Sequence, residues 1–81
     1  MSDTTPELGA ITRTSGVAGQ FSYRVPVTYP GEGTRTVEFV GSEYGGPITM
    51  ISNGNQTFVS EPERFGEFSP TWVRRFFGAE N

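Results

Sequence analysis

Apolar and polar side chains alternate without interruption from Phe21 to Tyr29. In "FSYRVPVTY" the odd positions hold Phe21, Tyr23, Val25, Val27 and Tyr29, and the even ones hold Ser22, Arg24, Pro26 and Thr28. A period of two over that length predicts a strand with one face buried. Pro26 has no amide hydrogen to give a ladder, so the strand is expected at a sheet edge or with a bulge at that point. As an edge, residues 21–29 would also be open to pairing with a second copy of the chain.

The segments on either side extend the pattern. "LGAITRT" (8–14) suits a first short strand and "SGVAG" a turn. "PGEG" (30–33) is a turn, followed by a returning strand, "TRTVEFV" (34–40). There Arg35, Val37 and Phe39 alternate with Thr36, Glu38 and Val40, so both faces are expected to be partly covered. "GSEYGGP" (41–47) is a loop by its glycine and proline content. Two β-rich runs then flank Asn53-Gly54, a strong hairpin signal whose register stays open between two- and three-residue loops. Four or five mostly antiparallel strands follow. The fold expected is all-β, a small Src-homology-like barrel or curved sheet. Residues 1–7 read as a polar tail, 8–78 as one domain, and 79–81 as a second tail.

The period changes at "SPTWVRRFFG" (69–78). Ser69 can cap a helix over 69–77, Pro70 suits its first position, and Gly78 can end it in a left-handed conformation. Phe68 and Val73 occupy the two positions of a hydrophobic staple. At 100° per residue Trp72, Val73, Phe76 and Phe77 share one arc, and Arg74 and Arg75 take the rest. The stretch therefore reads first as a lid with its aromatics inward and its arginines in water. The helix dipole favours those cations near its C-terminal end.

Composition supports a β fold. The chain of 81 residues carries seven Phe, three Tyr and one Trp but a single leucine, Leu8, and it is rich in Thr and Val. So short a chain can bury only a small core, and aromatic rings fill one efficiently. Nine carboxylates against six arginines leave a net charge of −3, with no lysine and no histidine. That balance disfavours nonspecific binding to nucleic acid or to anionic membrane. Apolar runs never exceed two residues, which leaves no membrane span and no signal-peptide core, so a cytoplasmic location is the expectation.

The missing residue types exclude several chemistries. Without His, Cys or Lys there is no Ser–His, Cys–His or Ser–Lys nucleophile, no Schiff base and no zinc site of the usual kind. Glu61, Glu63 and Glu67 could in principle supply an acid and a base, but carboxylates in a polar loop read as solvated charges. Gly31 and Gly33 lack the lysine and following helix of a phosphate loop and read as turn glycines. No catalytic residue, metal or cofactor is expected.

Two binding readings remain. Phe21, Tyr23, Tyr29 and Phe39, interleaved with Arg13, Arg24 and Arg35, could stack and track single-stranded nucleic acid on a small barrel. The acidic balance makes a poor electrostatic track for it. The leading expectation is a protein-interaction or regulatory module. Its candidate contacts are Glu43 and Tyr44 in the "SEYGGP" loop, Tyr29 and Glu32 in a "YPGEG" turn expected beside it, and Arg74 and Arg75. A structural, self-assembling subunit is the third possibility.

The fragments "VGSEYGGP", "QTFV", "ERFG" and "WVRRFF" lie in a run covering about half of the chain. That run resembles small uncharacterised proteins of actinobacteria and their phages. The resemblance implies a phage or host accessory protein of a kind that works by binding another protein, and it transfers no site residues. Arginine as the only basic residue is consistent with a GC-rich source.

Overall fold

The computed structural model describes residues 5–61 and 67–79. Six strands and one helix follow in order: β1 (Glu7–Leu8), β2 (Thr12–Ser15), β3 (Gln20–Tyr29), β4 (Gly33–Ser42), β5 (Ile48–Ser52), β6 (Asn55–Ser60) and α1 (Pro70–Phe76). All the pairings are antiparallel, in the order β1-β3-β4-β5-β6, with β2 beside β1 on the same side of β3. The sheet is open and curved. It does not close into the barrel that was one of the two sequence-based forms, because β6 pairs with β5 alone.

Strand β3 lies inside the sheet, not at its edge, and the consequence of Pro26 falls on its neighbour. Four steps lead from Leu8 to Thr12, whereas only three lead from Val27 to Arg24 opposite. The extra residue is a bulge facing Pro26, and it splits the expected first strand into β1 and β2. This is why six strands appear instead of four or five. The proline still accepts across the gap: the Gly9 amide donates to its carbonyl at 2.8 Å. A side chain at Gly9 would crowd the proline ring, with its Cβ 3.0–3.3 Å from three ring carbons. Pro6 is buried and Glu7 lies in β1, both within the stretch that reads from sequence as the polar tail.

The turns follow their sequences. Pro30 and Gly31 form the tip of the β3–β4 hairpin, where the Glu32 amide donates to the Tyr29 carbonyl at 3.0 Å and Gly31 adopts φ 77°. Those are the positions a type II turn assigns to Pro and Gly. At the β5–β6 hairpin Ser52 faces Asn55, so the loop has two residues. Asn53 and Gly54 both have positive φ, 55° and 80°, as a type I′ turn requires.

The odd positions of β3 build the core. Phe21, Tyr23, Val25 and Val27 are buried, and they pair across β4 with Gly41, Phe39, Val37 and Arg35. Helix α1 and Phe68 cover this face. The Ser69 hydroxyl accepts from the Trp72 amide at 3.3 Å. At the far end Gly78 (φ 73°) donates to the Arg75 carbonyl and Ala79 to that of Arg74, the paired bonds of a Schellman cap. Val73 is fully buried, and the rings of Trp72, Phe76 and Phe77 meet Phe39 edge-on at 5.2–5.7 Å.

Phe68 rests on Gly41. A Cβ on Gly41 would come within 2.7 Å of the Phe68 ring, which is held between Phe21 and Tyr23 with centroids at 5.0 and 4.9 Å. Gly41→Ala is therefore expected to lower stability by about 1–3 kcal/mol through overpacking. A urea titration reads the loss. Most of it should disappear in a Phe68→Leu background, and an equal loss in both backgrounds would contradict this contact.

Candidate functional site

With α1 on one face, no described helix or strand packs on the opposite face of the sheet, where Ser22 is buried and Glu38, Val40, Thr49 and Ile51 are half-buried among their neighbours. The even positions of β3 and β4 point there, together with Thr49 and Ile51 of β5 and Gln56 and Phe58 of β6. Thr28 and Thr34 share a hydroxyl hydrogen bond of 2.6 Å on this face. Arg24 and Glu38, directly opposite one another, form a loose ion pair at 3.8 Å. An exposed pair of that kind contributes about 1 kcal/mol or less.

An open groove of about 460 Å³ crosses the bare face. Val40, Thr49 and Ile51, which share this face of the sheet, form its floor, and Gln20, Gly45, Pro47 and Gln56 are among the residues that complete its lining. A smaller hollow of about 180 Å³ shares Gln20 and Val40 with it and runs on past Ser22 to Thr14. The larger groove has no ionisable side chain in its lining. What it offers is aliphatic surface, two carboxamides and the hydroxyls of Ser42 and Thr49. Such a lining can hold an uncharged segment, but it supplies no acid, base or nucleophile–base pair.

Two large exposed side chains flank this region. Phe58, opposite Thr49 on β6, is 60% exposed. Tyr44, in the loop after β4, is 68% exposed, yet its ring lies against the Gly19 backbone where any side chain at position 19 would overlap it. The loop is tied to the sheet by the Glu43 amide, which donates to the Gly19 carbonyl at 3.0 Å. The Ser42 hydroxyl accepts from the Tyr44 amide at the same distance. Tyr44 is thus both folded back on the end of the sheet and presented to solvent.

The six residues singled out from sequence do not form one surface. Glu43 and Tyr44 lie beside the start of β3, whereas Tyr29 and Glu32 lie at its end, nine residues away. At 3.3 Å per residue the two turns are about 30 Å apart, so the expected adjacency does not hold. Tyr29 and Glu32 belong to a local cluster with Arg35, whose guanidinium lies 3.8 Å from Glu32 and 5.8 Å from the centre of the Tyr29 ring. Arg74 and Arg75 are exposed on α1, on the side of the sheet away from the groove, as the helical periodicity requires.

Three of the four aromatics proposed as a base-stacking platform are spent inside, and the fourth, Tyr29, is half-buried. Phe21, Tyr23 and Phe39 are each less than a tenth exposed and offer no face to a nucleobase. Arg13 sits over the Phe21 ring at 4.2 Å, an internal cation–π contact. Burial pushes the Tyr23 hydroxyl pKa above its ordinary value, and nearby Arg13 partly offsets this. Of the three carboxylates weighed for catalysis, Glu61 and Glu67 are exposed, and Glu63 lies outside the described residues, as does the "ERFG" fragment. Among the described residues no cluster of acidic side chains could hold a metal ion, and no helix is long and apolar enough to cross a membrane.

Val40, Ile51 and Phe58 were not candidates on sequence grounds. The signal that could have found them is apolar residues on the even face of β4 and at positions in register with it on β5 and β6. Comparison with known protein families, with curated proteins and with solved structures finds no match for the chain.

Proposed function

We propose that this protein is a non-enzymatic protein-interaction module that takes an uncharged, partly apolar segment of another protein on the bare face of its sheet. The observation that carries this reading is the 460 Å³ groove floored by Val40, Thr49 and Ile51 and free of ionisable groups. Its volume is that of a small binding cleft, and its polar groups are few and directional. Tyr44 and Phe58 extend the contact area beyond it, and aromatic residues are enriched where interfaces concentrate their binding energy. A regulatory or accessory role, as the resemblance to phage-associated proteins implies, would work through this surface.

A displayed library of random peptides tests the reading. Selected peptides should be poor in charge, and their amide shift perturbations should centre on Val40, Thr49, Ile51 and Gln56. Ile51→Glu should weaken them tenfold or more, because it places a charge on the groove floor. Failure to select any peptide, or perturbations confined to α1 or to the Tyr29 hairpin, would overturn it.

A further inference from the structure

We propose that two copies of this chain join edge to edge through β6, antiparallel about a two-fold axis at Thr57, to make one continuous sheet. The inference goes beyond the groove reading and rests on different groups, the backbone amides of an edge strand.

The two edges of the sheet are not alike. The β1/β2 edge carries Pro6, Glu7, Arg13 and the bulge opposite Pro26, all of which discourage strand addition. Along its outer line the β6 edge carries no charge and no proline, and its one irregularity, the extra residue between Phe58 and Ser60 opposite Ile48 and Thr49, lies outside the segment 56–58. "NQTFVS" (55–60) has no charge and no proline, and residues 55–58 are exposed. No described strand pairs with its outer side. A long, uncharged, exposed edge is what such protection normally removes.

The register follows from the hairpin. Ser52 and Asn55 flank a two-residue turn and so form its hydrogen-bonded pair. Counting alternately from Asn55, the amides and carbonyls of Gln56 and Phe58 point outward, whereas those of Thr57 point to β5. An antiparallel copy centred on Thr57 places Gln56 opposite Phe58 of the second copy, and Phe58 opposite its Gln56. Both become hydrogen-bonded pairs, and Thr57 meets its own equivalent in a non-hydrogen-bonded position. The two Phe58 rings then lie on the same face at diagonal positions, within reach of one another across the axis.

Charge is compatible with a second copy in spite of the net −3 on each chain. The nearest described charge along the strand is Glu61, four residues from the axis. The two Glu61 carboxylates would therefore lie at opposite ends of the junction, roughly 25 Å apart and well beyond screening range. The contact is small, so a concentration-dependent dimer of modest affinity is expected.

The absence of cysteine in this chain makes a register-specific test clean. A Thr57→Cys pair would have its Cα atoms about 4.5 Å apart, inside the range a disulfide spans. Mild oxidation should convert Thr57→Cys largely to a covalent dimer, at least tenfold faster than Thr14→Cys on the other edge. Sedimentation of the unmodified chain should show mass doubling with concentration, and Phe58→Lys should remove it while circular dichroism stays unchanged. A chain monomeric at all concentrations, a dimer indifferent to Phe58→Lys, or equal cross-linking at the two edges would overturn the proposal.

Discussion

Phe39→Ala is expected to cost about 3–5 kcal/mol of folding stability, the range for deleting a fully buried ring. Phe39 is completely buried on the central strand β4, and it is the ring that Trp72, Phe76 and Phe77 all meet. Those edge-on contacts, together with buried Val73, attach α1 to the sheet, so the truncation leaves a cavity and also loosens the helix. An 81-residue domain has roughly 4–12 kcal/mol of stability in total, so the truncation removes a large share of it and, at the low end of that range, brings the variant to its unfolding midpoint in water. Urea titration followed by Trp72 fluorescence reads the change. Phe39→Leu should retain most of the stability, since it keeps much of the volume. A loss below about 1 kcal/mol for the alanine variant would mean that α1 is held elsewhere.

The parts of this fold that were legible in the sequence are those fixed by neighbours along the chain. Strict alternation in "FSYRVPVTY" marked the buried face of β3, because side-chain direction in a strand has period two. Ser69-Pro70 and Gly78 marked both ends of α1, since capping depends on a few adjacent backbone groups. Asn53-Gly54 marked a hairpin because both positions need positive φ. Pro26 forced an interruption in the ladder, but the sequence does not say which strand yields. The bulge went to the segment opposite, and an unbroken run of pairing with β4 kept β3 interior.

Closure of the sheet was beyond the reach of the pattern. It depends on whether β6 returns to β1 or β2, a non-local pairing that no single segment encodes. The expected adjacency of the two turns failed for a simpler reason. The turns at 30–33 and 43–47 are separated by the ten residues of β4, and a strand of that length puts the turns at its ends on opposite rims of the sheet. Val40, Ile51 and Phe58 were hidden because each looks like an ordinary strand residue until register places the three on one face.

The largest contrast expected of this molecule lies between the two faces of its sheet. Single cysteines can be placed on either face of a chain that has none of its own. Val25 and Val27 are completely buried beneath the aromatic layer, so thiols there should react only when the domain opens. With even the low end of the stability range, their labelling should be slowed about 10³-fold relative to the unfolded chain. Thr36 and Thr49 lie on the opposite face, which no described element covers. Thiols at those positions should react within about tenfold of an unfolded chain, and added urea should change them little. Rapid labelling at positions 36 and 49 with strong protection at 25 and 27 is the result this account predicts. Comparable protection at all four positions would contradict it, because the face assigned to binding would then already be covered.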